Sequence, residues 1–337
     1  MPSFRNGTVT AILSERRGLQ RVEVDGEPAY VLTQLIGPVA VGDRVVVNTT
    51  AVELGLGTGG WHVVHWNLSS GDSVDIGGGG HVMKLRYTSL QTNTGVAEEN
   101  EESPDDLAGA PVVVLALHSQ LATAAAAVKV INPSLRVVYV MTDAGSLPIA
   151  LSDLVAELCE AGFVDATVTA GHAFGGDMEA VNVRSALGVA RHRLRADVVV
   201  VGMGPGSVGT ATATGFSGLE VGANLDTVRD AGGIPIMALR VSDADPRQRH
   251  RGVSQHSLTA LSATHVEVVV PVPTLGHEVP ISAARVSVVP ISEPNALGAL
   301  AAKGITPTTM GRDAAADPLV FSFAAAAGAY AAQAAGR

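Results

Sequence analysis

Residues 111–143 read PVVVLALHSQLATAAAAVKVINPSLRVVYVMTD, and their pattern decides the fold. Two aliphatic runs, 112–117 and 135–141, flank a helix-length segment at 119–131. A run of Val and Leu without polar alternation fits a strand buried on both faces, as in parallel sheets. Strand, helix and strand in that order form one βαβ crossover. The pattern continues downstream: strand-length runs at 166–170, 197–201, 234–241, 266–272 and 285–289 are interleaved with helix-length segments at 148–161, 178–195, 217–230 and 255–264. Leu151, Val155 and Leu158 form one stripe of the 148–161 segment, and Gly162 is placed to end it. Cys159, beside Leu158, is expected to be a small core residue and not a nucleophile. Residues 111–337 are therefore expected to form a Rossmann-like α/β domain around a doubly wound, mostly parallel sheet. The Ala-rich C-terminal extension has an uninterrupted apolar core, 319–332. That falls short of the ~20 residues of a membrane span, so it is expected to dock on the sheet or on a second copy.

Upstream the pattern changes. Short aliphatic runs at 8–13, 19–24, 29–35 and 44–48 are separated by Asp25-Gly26, Gly37-Pro38 and Gly42-Asp43. Two more follow at 61–67 and 81–87, the second after four glycines at 77–80. Many short strands with regular turns predict a small, all-β, barrel-like domain over residues 1–95. His62 and His65 are an odd number of residues apart, so on a strand they face opposite ways and form no metal pair. The glycine run is expected to be a loose turn; the alternative is a loop that covers a ligand with His81 or Lys84 reaching in. Residues 96–110 include AEENEESPDD, with six acids and no base, and read as a solvated linker.

Composition narrows the function classes. Of 337 residues, 47% are hydrophobic and 16% charged, enough apolar material for the cores of two domains. A single Cys excludes a disulfide framework and a cysteine zinc site. The formal charge of −10 argues against a general phosphate-backbone binder, and the first domain lacks the aromatic array of single-strand binders. The first ten residues lack the basic-then-apolar plan of a signal peptide, so a cytoplasmic location is expected. The expected partners are a small anionic ligand and a second copy of the chain, with neither nucleic acid nor membrane.

Open α/β sheets hold ligands beyond the C-terminal ends of their strands. Those ends carry His118-Ser119, Thr142-Asp143, Gly171-His172 and then Gly175-Gly176-Asp177. The loop GMGPGSVGT (202–210) and the polar stretch from Arg240 through Asp243 to His250 and His256 complete the edge. Gly204, Gly206 and Gly209 match G-x-G-x-x-G after a strand, with Ser207 and Thr210 beside them; such glycines let backbone N–H groups approach an anion. A dinucleotide is disfavoured, because the motif follows the fourth strand, Pro205 removes a donor, and the acid expected about 20 residues on, at the next strand's end, is missing, Asp243 being too far away. Arg251 is the expected anion clamp. His172 and His256, with Asp143 or Asp177, are the expected proton carriers. Asp177 also suits the N-cap of the 178–195 helix. A divalent metal held among Asp143, His172, Asp177, His250 and His256 has no ligand motif behind it, so metal and cofactor stay open.

As a set, HVMKLRYTSLQ (81–91), MTDAGSLP (141–148), GHAFGGDMEAVN (171–182), residues 202–218, residues 250–257 and TTMGR (308–312) resemble a bacterial family catalogued only as a domain of unknown function. The resemblance spans nearly the whole chain. It implies no reaction, cofactor or catalytic residue, because the family has no assigned activity. The functional expectation rests on the strand ends alone: an enzyme acting on a small anionic, phosphorylated metabolite. The alternative is a non-catalytic ligand-sensing or partner-binding protein.

Overall fold

Alternating apolar side chains curl the N-terminal strands into a closed barrel whose interior is filled by residues such as Val9, Val22, Val24, Val45, Val47 and Val64. Its strands are β1 (Phe4–Arg16), β2 (Leu19–Val24), β3 (Glu27–Val31), β4 (Arg44–Asn48) and β5 (His62–Asn67), in the order β1-β2-β3-β5-β4. The computed structural model describes residues 2–57, 59–71, 79–99, 103–274 and 285–336, and the chain divides into two units, Met1–Gly95 and Val96–Arg337. Strand β1 closes the barrel by serving two neighbours: Phe4–Thr8 pair with β4 and the rest with β2, with register shifts that bend it. Asp25 and Gly26 join β2 to β3 at φ 52 and 83, the hairpin turn that Asp-Gly favours. His62 and His65 have separate partners, Glu27 Oε2 at 3.1 Å and the Phe4 ring at 5.2 Å between centroids.

The run 81–87 does not extend the barrel. Only Met83–Lys84 is a strand there, paired with Thr92–Asn93 in its own two-stranded sheet, because Leu85 and Tyr87 take positive φ (53 and 62) and break the extended backbone. Of the glycine run, Gly77 and Gly78 lie outside the described residues; His81 is exposed and Lys84 is buried.

In the second unit β6 (Pro111–Leu115), β7 (Val137–Thr142), β8 (Ala166–Ala170), β9 (Met178–Ala180), β10 (Val198–Met203), β11 (Ile234–Ala238), β12 (Val268–Pro273) and β13 (Val286–Ile291) form one parallel sheet. The order β9-β8-β7-β10-β6-β11-β12-β13 steps outward from the centre in both directions, so the sheet is doubly wound. Successive strand residues serve opposite cores: Val112, Val114, Val138 and Val140 one, Val113, Leu115, Val137 and Tyr139 the other. That is why these runs carry no polar alternation. The helices are α1 (Leu121–Ile131), α2 (Asp153–Glu160), α3 (Val183–Gly188), α4 (Glu220–Asp230), α5 (Gln255–Ala263), α6 (Ala296–Ala301) and α7 (Pro318–Ala335). Leu187, Leu225 and Leu261 bring α3, α4 and α5 to the first core; Leu121, Leu158, Leu300 and Ala327 bring α1, α2, α6 and α7 to the second.

Helix α7 has the length and apolarity of a short membrane span, yet 67% of it is buried inside the unit. It packs so closely on α1 that a Cβ built on Gly328 would overlap the Ala124 carbonyl oxygen. Gly328→Ala is therefore expected to destabilise the protein by about 1–3 kcal/mol despite the better helix propensity of Ala, as a lower urea midpoint would show.

Three local expectations are corrected. The described part of the acidic stretch is laid along the second unit: Leu107 is fully buried, its N–H donates to the Ala231 carbonyl, and Asp105 pairs with Arg184. The expected 178–195 helix begins instead as edge strand β9, in which Met178–Ala180 pair with Val168–Ala170. Asn182, not Asp177, caps the shorter helix that follows, its Oδ1 accepting from the Ser185 N–H at 2.9 Å. Cys159 is exposed, one residue off the stripe that Leu158 buries. Partial desolvation, then the Asp177 and Asp165 carboxylates, push its thiol up to about 11, so it is no activated thiolate.

Candidate functional site

At the C-terminal end of the sheet, a cavity lies on either side of the loop after β10. The first, about 190 Å³, lies between the end of β6 (Ala116, Leu117), Ser207–Gly209, the 240–250 segment and the start of α5. The second, about 390 Å³, is bounded by His118, Ser119, the start of α2, Gly204–Ser207 and Thr306–Met310. Leu117 and Ser207 line both.

Positive charge converges on the first cavity. Arg240, just past the end of β11, is 7% exposed and donates to Asp245 Oδ2 at 2.8 Å. Arg247 grips the same carboxylate with Nε and Nη2, both at 2.9 Å. Arg312, from the TTMGR segment, stands 3.7 Å from it and pairs with Asp317 at 2.9 Å. Burial alone would raise the Asp245 carboxyl; hydrogen bonds and charge from Arg247, then Arg240, outweigh it and hold the group well below the usual range. Arg240, Arg247 and Arg249 line the cavity and, among the described residues, no Asp or Glu does, so the cleft is cationic in a chain of net charge −10.

The histidines are held neutral. Arg249 Nε donates to His250 Nε2 at 3.2 Å, which leaves the proton on Nδ1, 2.7 Å from Ser254 Oγ. Burial first, then Arg240 and Arg247, push His250 down to about 3. His256 stacks on Phe216, with ring centroids 3.8 Å apart and planes 7° apart, and meets the edge of His250 at 4.6 Å. Burial and the surrounding arginines lower it as well. Its imidazole lines the cavity without a hydrogen bond among the described residues.

Other expected site residues are distributed differently. Asp143 accepts from the His172 backbone N–H at 2.9 Å, so it anchors the loop and not the imidazole. Gly171, at φ 66, permits this, because a Cβ there would overlap the Asp143 carboxylate. Asp177 is carried away from this edge: after β8 the chain returns beside it, and Asp177 Oδ2 accepts from the N–H and hydroxyl of Thr167, near the start of β8. Among the described residues no group of three or more His, Cys, Asp and Glu side chains is placed to hold a metal. Gly204 and Gly206 line the second cavity, Gly209 the first, and Ser207 both. The motif does not lead straight into a helix: an exposed loop intervenes, and α4 starts at Glu220. Thr210 Oγ1 is engaged inside that loop with Thr212 and the Gly215 carbonyl. Arg251 donates its Nε to the Asp245 carbonyl at 3.1 Å and does not line the cavity.

Three features escaped the sequence. Arg240, Arg247 and Arg249 carry no motif and converge only through the 240–250 turn. Glu220 reads as an ordinary acid in a first helical turn. In the structure it accepts from Thr142 Oγ1 at 2.6 Å. Burial lifts its carboxyl to about 7 against that hydrogen bond, with the Asp143 charge adding to the rise. His118 was visible as a strand end, but its partners were not. Its Nδ1 faces the Met203 carbonyl at 3.1 Å and its Nε2 meets Ser152 Oγ at 2.7 Å. Burial pushes His118 down to about 4, and the Met203 hydrogen bond only partly offsets this.

The sequence profile of a family described as protein of unknown function (DUF3866) matches residues 28–328. No curated protein and no solved structure matches the chain.

Proposed function

We propose, for a chain that belongs to the DUF3866 family of proteins of unknown function, that it is an enzyme acting on a small anionic metabolite held at the C-terminal ends of the parallel strands. The observation that carries this reading is the convergence of Arg240, Arg247 and Arg249 on one cavity. Guanidinium groups bind phosphate and carboxylate through paired N–H donors, and among the described residues the one carboxylate beside these three, Asp245, pairs with Arg240 and Arg247. A phosphate group suits the cavity's size of about 190 Å³. His256, whose neutral imidazole lines the cavity and makes no hydrogen bond among the described residues, is suited to take a proton from a bound substrate. Glu220, next in sequence to the cavity-lining Val221, is suited to exchange protons near neutral pH.

Calorimetric titration with inorganic phosphate, pyrophosphate and sugar phosphates tests the reading. Arg249→Ala removes an exposed guanidinium without touching the Asp245 cluster, so the melting temperature should hold. A charge-assisted hydrogen bond contributes about 1.5–3 kcal/mol, and exposure puts the expected loss of affinity near the lower end, about tenfold. No binding of any phosphate by the wild type, or unchanged affinity in Arg249→Ala, would count against it. Binding without turnover of any phosphorylated compound would move the reading to a ligand sensor.

A further inference from the structure

The second cavity holds a pair of groups that the anion-binding reading does not use. His118 lies at the end of β6, and its Nδ1 faces a carbonyl oxygen, that of Met203, at 3.1 Å. A carbonyl only accepts, so Nδ1 carries the proton and Nε2 presents a lone pair. Ser152 Oγ is 2.7 Å from that Nε2, so its hydroxyl donates to the ring. The Tyr139 hydroxyl lies 3.3 Å from the same Nδ1 and donates toward the Gly202 and Met203 carbonyls, at 3.0 and 3.1 Å, so it too can accept the Nδ1 proton. Ser152 is also the N-cap of α2, accepting from the Val155 N–H at 3.1 Å. That uses one of its two lone pairs and leaves the other for attack. Both residues line the cavity of about 390 Å³.

We propose that Ser152 is a nucleophile and His118 its general base, in an acyl-transfer site that takes esters or thioesters of a small, uncharged acyl group. The electrophile is a carbonyl and not a phosphoryl group, because Asp153 and Glu157 share the cavity wall and, among the described residues, no Arg or Lys lines it. As Ser152 Oγ bonds to the acyl carbon, its proton passes to His118 Nε2. The bond from that carbon to the leaving oxygen or sulfur breaks, and the leaving group takes the proton. Water then adds to the acyl carbon, gives a proton to Nε2, and the acid departs as the proton returns to Ser152. Donors for the transient oxyanion are at hand: among the described residues, the N–H groups of Leu154, Gly206 and Ser207 carry no hydrogen bond, and all three residues line the cavity. None of this depends on an anion in the neighbouring cleft.

The test is labelling of the full chain with an alkyl fluorophosphonate, followed by peptide mass spectrometry, with p-nitrophenyl acetate hydrolysis as a second readout. The expected result is one label per chain, on Ser152. His118→Gln should slow labelling at least about 100-fold, the usual contribution of a general base. Ser152→Asn, which keeps a capping side chain on α2, should abolish it. A folded wild-type protein that takes no label, a label on any other residue, or equal labelling of His118→Gln would overturn the proposal. Should a variant fail to fold, the position of the wild-type label still decides. Phosphate titration of the same samples reports on the arginine cleft separately, so either reading can fail alone.

Discussion

Asp245→Ala is expected to destabilise the protein by about 3–5 kcal/mol, the range for removing one partner of a buried ion pair. The Asp245 side chain is 0% exposed and that of Arg240 is 8%. Without the carboxylate, the Arg240 guanidinium stays in the interior beside Arg247 with no counter-charge among the described residues, while Arg312, close by, keeps Asp317. The damage is local in sequence yet spreads to the C-terminal segment, because Arg312 also holds Asp317, which receives the Ser242 hydroxyl at 2.7 Å. Asp245→Asn should fall between wild type and Ala, since it keeps an acceptor oxygen but loses the charge. Urea unfolding of the three proteins at pH 7 checks the order. A loss below about 1 kcal/mol for Ala would mean that Arg240 reaches another counter-charge or water. Pyrophosphate at saturating concentration should restore part of the loss in Asp245→Ala, because an anion in the cleft supplies the missing negative charge.

Acid should weaken the fold above the ordinary carboxylate range, and His118 should account for a large part of it. Its pKa is about 4 in the folded protein, below the ordinary 6.5. Below pH 6.5 the unfolded chain therefore binds a proton that the folded chain refuses. Stability falls as pH drops from 6.5 to 4 and levels off beneath that. Between pH 7 and pH 4.5 this one residue is expected to remove about 2–3 kcal/mol. His250, held at about 3, acts in the same direction. Glu220 acts against both: its raised pKa of about 7 means that the folded protein takes up a proton before the unfolded chain does as pH falls from 7 toward 4.5. The discriminating measurement is the difference in urea stability between pH 7 and pH 4.5 for wild type and for His118→Gln. The variant should lose about 2–3 kcal/mol less. Equal losses would show that His118 is protonated in the fold.

The architecture was legible because burial on two faces leaves a mark on composition. Residues 112–117 and 135–141 are nearly all aliphatic, and each alternate residue serves a different core. Errors fell where local pattern and tertiary pairing disagree. Residues 178–195 have a helical period, yet Met178–Ala180 gain more as an edge strand on β8, and Asp177 goes with them to the far end of that strand. Residues 81–87 look extended, but positive φ at Leu85 and Tyr87 is a conformation that no β-propensity scale anticipates.

The candidate site shows the same division. The sequence by itself determined the two-unit plan, the doubly wound sheet and the edge at which polar groups gather, since these follow from hydrophobic period and from the direction of parallel strands. His118, His250, His256 and the glycines of the 204–209 loop could be placed at that edge from their positions after strands. Which of them meet was decided only by the tertiary structure. Arg240, Arg247 and Arg249 come together with His256 because the 240–250 turn folds back over the end of β6. Ser152 meets His118 across 34 positions of chain because α2 begins beside the end of β6. Side-chain encounters of that kind depend on crossover geometry and on sub-ångström packing, and neither leaves a periodic trace in the order of residues.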